Sequence, residues 1–377
     1  MIINNNNYIK NGKIFVEKSL YNFVNKEILK NTKITPKRFW NGLDMAMNIL
    51  KPKNEELLQK REEIQSLINN WHIKNREKEF NILDNKKFLI KIGYLKKNPP
   101  NFMIETKNVD EEISSIAGPQ LVVPIMNSRY TLNAANARWV SLYDSLYGTD
   151  LIESEETGSQ KYDPLRGQEV IRYAREFLND HFSINEIHWK DINGFKIKGS
   201  DLKILKDDKE FELVDKNKFI GYRGEPNNPT TIILENNNLK IEIIINPKAF
   251  SAVQDAAGIS DIIIESAIST ICDNEDSVAA VDSEDKILCY RNWLGLMKGT
   301  LKSVFEKDGK TLERKLNPDR SYISKDNKKE KLHGRSLLLI RNVGHLMTNS
   351  AIILEDGSEV PEGIMDAFIT TAAAIHD

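Results

Sequence analysis

The chain has 377 residues, 40% of them hydrophobic and 29% charged, with a formal net charge of −2 at pH 7. This is globular composition, long enough for two or three domains, and its near-neutral balance gives no global field for nucleic acid or an anionic membrane. No apolar run approaches the ~20 residues that span a bilayer, and the start Met-Ile-Ile-Asn-Asn-Asn-Asn lacks the regions of a secretory signal, so a cytoplasmic protein is expected.

Residues 1 to 95 read as helical and lysine-rich. Within them, 54–72 places Leu57, Arg61, Ile64, Ile68 and Trp71 on one face, with Asn54 as a plausible N-terminus. Leu121-Val122-Val123-Pro124-Ile125-Met126 reads as a short strand buried on both faces and ended by Pro124. Residues 133–148 then read as one helix stopped by Gly148. Asp163-Pro164 is an N-cap and first-turn proline for an amphipathic helix over 163–182. Short alternating runs follow, and Asn236-Asn237-Asn238 between two of them predicts a hairpin. Residues 299–335 look similar, with turns at Asp308-Gly309 and Asn317-Pro318.

Two more buried strands are expected at 268–273 and 336–347, and a helix over 361–377 with Met365, Phe368 and Ala372 on one face. Each buried strand carries polar groups at its exit: Asn127 and Arg129, Asp273 through Ser277, and Arg341. In parallel α/β barrels the reacting groups hang from the carboxyl ends of strands. Residues 273–285 hold six carboxylates, Asp273, Glu275, Asp276, Asp282, Glu284 and Asp285, interrupted by Ser277-Val278-Ala279-Ala280-Val281. Such a cluster suits Mg²⁺ or acid–base work, and equally a solvated loop. Arg341 is read either as an anion clamp or as the structural partner of one of these acids. Arg129, Tyr130, Arg138, Arg314 and Arg320 are candidates for a phosphate-bearing ligand, though such a residue is individually more often a surface ion-pair partner. No P-loop, G-x-G-x-x-G, nucleophile elbow or H-E-x-x-H is present, and the six histidines are scattered. Cys272 and Cys289 lack a histidine at metal-ligand spacing and suit a reduced compartment.

Long segments then resemble the malate synthase G family: residues 118–150, 273–301, 316–322 ("LNPDRSY") and 334–349 ("GRSLLLIRNVGHLMTN"). The similarity runs also through "FWNGLD", "DPLRGQEVIRYAREFL", "FIGYRG" and "EVPEGIMDAF". The resemblance implies a (β/α)8 barrel of TIM type, of which the first strands are present, with an N-terminal helical clasp and an inserted α/β module. On it, residues 1–95 are the clasp, 117–135, 266–298 and 336–377 the partial barrel, and 136–265 with 299–335 the insertion. It implies condensation of acetyl-CoA with glyoxylate and hydrolysis of the thioester to malate and CoA, with Mg²⁺ as cofactor.

By motif, Arg341 matches the arginine that holds glyoxylate and the developing oxyanion. Val122, Arg129, Tyr130, Ser277 and Arg314 match acetyl-CoA contacts, while Asp273 and Glu275 match acids lining the catalytic site. Asn274 departs from the family's usual cysteine, and Ser350 from its usual proline. Family members are longer, and the resemblance puts the direct Mg²⁺ ligands, the base and a plug domain past Asp377. The expectation is therefore an N-terminal part of a monomeric enzyme, inactive and poorly folded alone. The alternative is a non-catalytic remnant or CoA-binding module that needs a complementary chain.

Overall fold

In a computed structural model, which describes residues 7–153, 162–253, 255–307 and 309–377, the chain is a mixed α/β structure with helices and several sheets. It divides into two compact units. The first comprises Met1–Asn108, Asp273–Gly299 and Ile340–Asp377; the second comprises Val109–Cys272 and Thr300–Leu339.

In the first unit the longest element is α1 (Pro36–Asn75). It starts where the local chemistry favours a start: the Thr35 hydroxyl accepts from the Arg38 amide at 3.3 Å, and proline takes the first helical position. Only its first turns are buried, through Phe39, Trp40, Leu43 and Met47. The Trp40 indole donates to Asn25 Oδ1 at 2.9 Å. The expected start at Asn54 is corrected by this cap; Asn54 lies inside α1 and donates to the His345 carbonyl at 2.9 Å.

The described residues also begin with strands where helix was expected. Tyr8–Asn11 and Ile14–Glu17 form a hairpin, and Ile14–Glu17 pairs antiparallel with Thr348–Leu354, Val16 opposite Ile352. Glu359–Pro361 completes a four-stranded sheet. Gly12 at the hairpin turn has φ +61°, and a Cβ there would stand 2.4 Å from Asp44 Oδ2. The turn thus requires glycine on both counts.

Two further helices of this unit are α2 (Ser283–Met297) and α3 (Glu362–Ala374). They lock together where the Trp293 indole donates to the Thr370 carbonyl at 3.0 Å. Three of the six clustered acids serve the start of α2. Asp282 is its N-cap, accepting from the amides of Glu284 and Asp285 at 3.0 Å each, and those two acids fill the first turn.

The second unit centres on a seven-stranded antiparallel sheet that includes Phe219–Glu225, Asn228–Asn236, Leu239–Ile245 and Ile259–Glu265. The hairpin at Asn236–Leu239 is present, with Asn237 and Asn238 at φ 52° and 64°. The helix Pro164–His181 buries Val170, Ala174 and Leu178 against Trp189, Ile232, Leu234, Ile243 and Ile262. The single helix expected over 133–148 is instead a helix Ser128–Asn136, an edge strand Trp139–Ser141 and a short helix Leu142–Tyr147. Arg138 explains the break. It is buried, and it pairs with Glu265 at 2.9 Å and Glu112 at 2.7 Å. Two carboxylates distant in sequence thus hold it out of helical register.

A three-stranded sheet brings the expected buried strands together. They are β1 (Gln120–Pro124), β2 (Ser269–Asp273) and β3 (Leu337–Arg341), with β2 in the middle. The Leu337 amide donates to the Ile268 carbonyl and the Asn274 amide to the Arg341 carbonyl, both at 2.9 Å. Starts meet starts and exits meet exits, so β2 and β3 run the same way. Only β2 is largely buried; β1 has a single buried residue, Val123, and Val122 is 55% exposed. Burial of β1 on both faces is therefore corrected: it is an edge strand here.

Candidate active site

Asp273 and Arg341 are the last residues of β2 and β3, so parallel running delivers both to the same end of the sheet. Arg341 Nε donates to Asp273 Oδ1 at 2.7 Å and Nη2 to Oδ2 at 2.9 Å, a two-pronged ion pair. The loop after β2 wraps the same carboxylate: the Glu275 amide reaches Oδ1 at 3.1 Å, and the Ser277 amide and hydroxyl reach Oδ2 at 2.9 and 2.7 Å. Burial pushes the Asp273 carboxyl up, but Arg341, the Ser277 hydroxyl and the two amides outweigh it and hold it well below the usual carboxylate range. Hydrogen bonding to Asp273 raises the Arg341 guanidinium further above its already high value.

The remaining acids of this loop face the guanidinium from the open side. Glu275 Oε2 lies 3.7 Å from Nε and Asp276 Oδ2 lies 3.1 Å from Nη2. Asp273 is fully buried, whereas the Arg341 side chain is 38% exposed and Asp276 74%. One cation thus meets three carboxylates, at a strand exit open to solvent on one side. Of the two alternatives left open for Arg341, the structural pair is present. Two of its nitrogens are fixed on Asp273, and the group still reaches solvent.

The loop does not by itself fit a divalent metal. Among the described residues no three His, Cys, Asp or Glu side chains gather closely enough to hold one. Asp273, the best-placed oxygen donor, already accepts from Arg341, Glu275 and Ser277.

Behind the pair lies a buried polar network that sequence reasoning missed. Lys286 on α2 is wholly buried, with Nζ 3.1 Å from both oxygens of Asp366 and 2.5 Å from Glu362 Oε1, both on α3. The Tyr290 hydroxyl also donates to Asp366. Asp366 Oδ2 accepts from Asn274 Nδ2 at 3.2 Å and from the Val343 amide at 3.4 Å. The available signal was the four-residue spacing of Glu362 and Asp366 on an otherwise apolar helix, with Lys286 amid the apolar positions of α2.

The other expected ligand residues lie in the second unit. Arg129 opens the helix Ser128–Asn136, and its guanidinium stacks 3.8 Å from the centre of the Phe305 ring. Phe305 belongs to a hairpin, Lys302–Lys307 with Lys310–Lys315, whose far strand holds Arg314 opposite Ser303. Asn136 fastens the base of this hairpin, donating to the Lys315 carbonyl at 2.8 Å. Val122 on β1 and Tyr130 beside Arg129 are exposed, at 55% and 56%. Two of the phosphate candidates are structural instead. Arg138 is buried between Glu112 and Glu265, and Arg320 pairs with the fully buried Glu242, its Nε 2.9 Å from Oε1.

Residues 19–81 match the family "Malate synthase, N-terminal domain", and residues 162–236 match "Malate synthase G, alpha-beta insertion domain". Both matches are to malate synthases. The chain is, more particularly, similar to malate synthase G. It is 46% identical to that protein of Halalkalibacterium halodurans over 371 residues, which is 97% of this chain and 51% of the relative. It is 45% identical to the one of Corynebacterium efficiens and 46% to that of Corynebacterium glutamicum, covering 97% of this chain and 49% of each relative. The chain spans about half the length of these curated relatives.

Proposed function

We propose that this chain carries the glyoxylate-holding side of a malate synthase site, and that the reaction served is condensation of acetyl-CoA with glyoxylate followed by thioester hydrolysis. The observation that carries this reading is the two-pronged Arg341–Asp273 pair at neighbouring strand exits, in a chain so similar to malate synthase G. In the condensation a methyl proton leaves acetyl-CoA, the resulting enolate carbon bonds to the aldehyde carbon, and the aldehyde oxygen takes the negative charge. Arg341 supplies a fixed cation for that oxygen and for the glyoxylate carboxylate. Asp273 sets its direction: with Nε and Nη2 committed, the Nη1 edge of the guanidinium is left for substrate. Asp273 is a poor candidate for the base, because donors saturate it and hold it ionised far below neutral pH.

Glu275 completes the acidic rim in this assignment. Ser277, Val122, Arg129, Tyr130 and Arg314 are assigned to acetyl-CoA, the stacked Arg129 being well formed for a phosphate. Mg²⁺ would supply a Lewis acid for the aldehyde when bound. It would need more oxygen ligands than the described residues bring together, so no step here depends on it. The same reading takes β1, β2 and β3 as strands of a TIM-type barrel, the start of the chain as a clasp and the antiparallel part of the second unit as an insertion. It also places the protein in the cytoplasm, where two free, buried cysteines are at home.

Calorimetry on the purified chain tests the assignment. Glyoxylate is expected to bind, and Arg341→Lys to weaken it roughly tenfold or more while acetyl-CoA binding stays unchanged. Equal glyoxylate affinity in wild type and Arg341→Lys would remove the assignment. Where CoA release from acetyl-CoA and glyoxylate with Mg²⁺ is measurable, the same variant should lower it by about 10²–10³-fold.

A further inference from the structure

We propose that Asp366 is a positioning residue for the Arg341–Asp273 pair, acting through the two strand exits that present it. One carboxylate touches both exits. Its Oδ2 accepts from the side chain of Asn274, the residue after Asp273, and from the amide of Val343, two residues after Arg341. The intervening residue is tied to the same helix, because Asn342 Nδ2 donates to Thr370 Oγ1 at 3.0 Å. Thr370 Oγ1 in turn donates to the Asp366 carbonyl at 2.7 Å. The exits are also bonded to each other through the Asn274 amide and the Arg341 carbonyl.

Asp366 is itself held from behind. It is fully buried, with Lys286 on both oxygens and the Tyr290 hydroxyl beside them. A packing role alone would be filled as well by apolar side chains, without the cost of burying a lysine and two acids. Directional bonds to charged groups do what apolar contacts do not: they fix the register of the partner segments to a few tenths of an ångström. The bearing of this device on catalysis rests on the function proposed above; its effect on the pair does not.

The test therefore reads the pair directly. Arg341 is modified with phenylglyoxal and quantified by peptide mass, and amide exchange is followed at Glu275 and Ser277, which donate to Asp273. Asn274→Ala cuts the link to β2 while leaving Lys286 and Asp366 paired; Asp366→Asn weakens the hub itself. Both are expected to raise Arg341 modification and exchange at Glu275 and Ser277 several-fold, with the far-ultraviolet circular dichroism unchanged. Asp273→Asn, which breaks the pair outright, sets the upper limit. Wild-type rates at both readouts in a folded Asn274→Ala chain would overturn the proposal, and that variant decides should Asp366→Asn fail to fold. Neither readout needs turnover or glyoxylate, so equal glyoxylate affinity in wild type and Arg341→Lys would remove the function proposed above and leave this inference standing.

Discussion

Asp273 shows how much one side chain's surroundings decide. Its carboxyl is depressed because the charged form has donors on both oxygens, despite full burial. A depressed carboxyl contributes stability above its unfolded-state pKa, and that contribution is lost only as pH falls through the lower folded value. Asp273 should thus remain ionised through the ordinary carboxylate range of about pH 3.5–4.5. Carboxyl carbon signals followed by NMR should show Asp273 titrating after the exposed acids; a midpoint near 4 would contradict the pairing. The two thiols behave oppositely. Burial pushes Cys272 and Cys289 up to about 12, so neither should react with a disulfide reagent at pH 8 until the chain is unfolded. Fast labelling of either in the native protein would show that its cover opens. At this scale the pair of Arg341 and an acid was legible, because a guanidinium behind an apolar run needs an anion. Which acid answers it was not, since six were close in sequence and only the end of β2 faces the end of β3.

Elements were legible where their causes are local. The Asn237-Asn238 turn and the caps at Asp163 and Asp282 depend on a few neighbouring residues, and the first two were expected correctly. Strand Ile14–Glu17 and the break at Arg138 depend on partners hundreds or more than a hundred residues away, Thr348–Leu354 and Glu265, and local periodicity does not register them. The start of α3 is a further case of distant constraint. A Cβ on Gly363 would lie 2.4 Å from the Val343 carbonyl oxygen and 3.2 Å from His345 Nδ1. Alanine favours a helix over glycine by about 1 kcal/mol, yet here the backbone of the β3 exit would have to move. Gly363→Ala is therefore expected to destabilise by roughly 1–3 kcal/mol, the usual cost of overpacking, read from the midpoint of urea unfolding. A gain in stability would mean that the exit yields freely, which also argues against a fixed Arg341.

On the scale of the whole chain, each unit buries apolar residues of its own. The core around Ile232, Ile243 and Trp189 lies within the second, and Trp40, Leu43 and Met47 lie within the first. Ile232→Ala should cost about 2–5 kcal/mol, and exchange protection should fall across 219–265 while the surroundings of Trp40 keep theirs. Equal loss in both would show a single cooperative block. The resemblance to malate synthase G, read from long motifs, carried family and expected activity together; the hub at Asp366 had no motif and emerged only from coordinates.

The hydroxyl of Tyr8 meets the carbonyl of Ser350 across 342 residues, beside the pairing of Ile14–Glu17 with Thr348–Leu354. A ribosome adding about 5–20 residues per second needs on the order of 20–70 s to make that stretch. For that time the nascent amino-terminal ribbon has an open edge and no mate, a window in which chaperones or a neighbouring nascent chain could claim it.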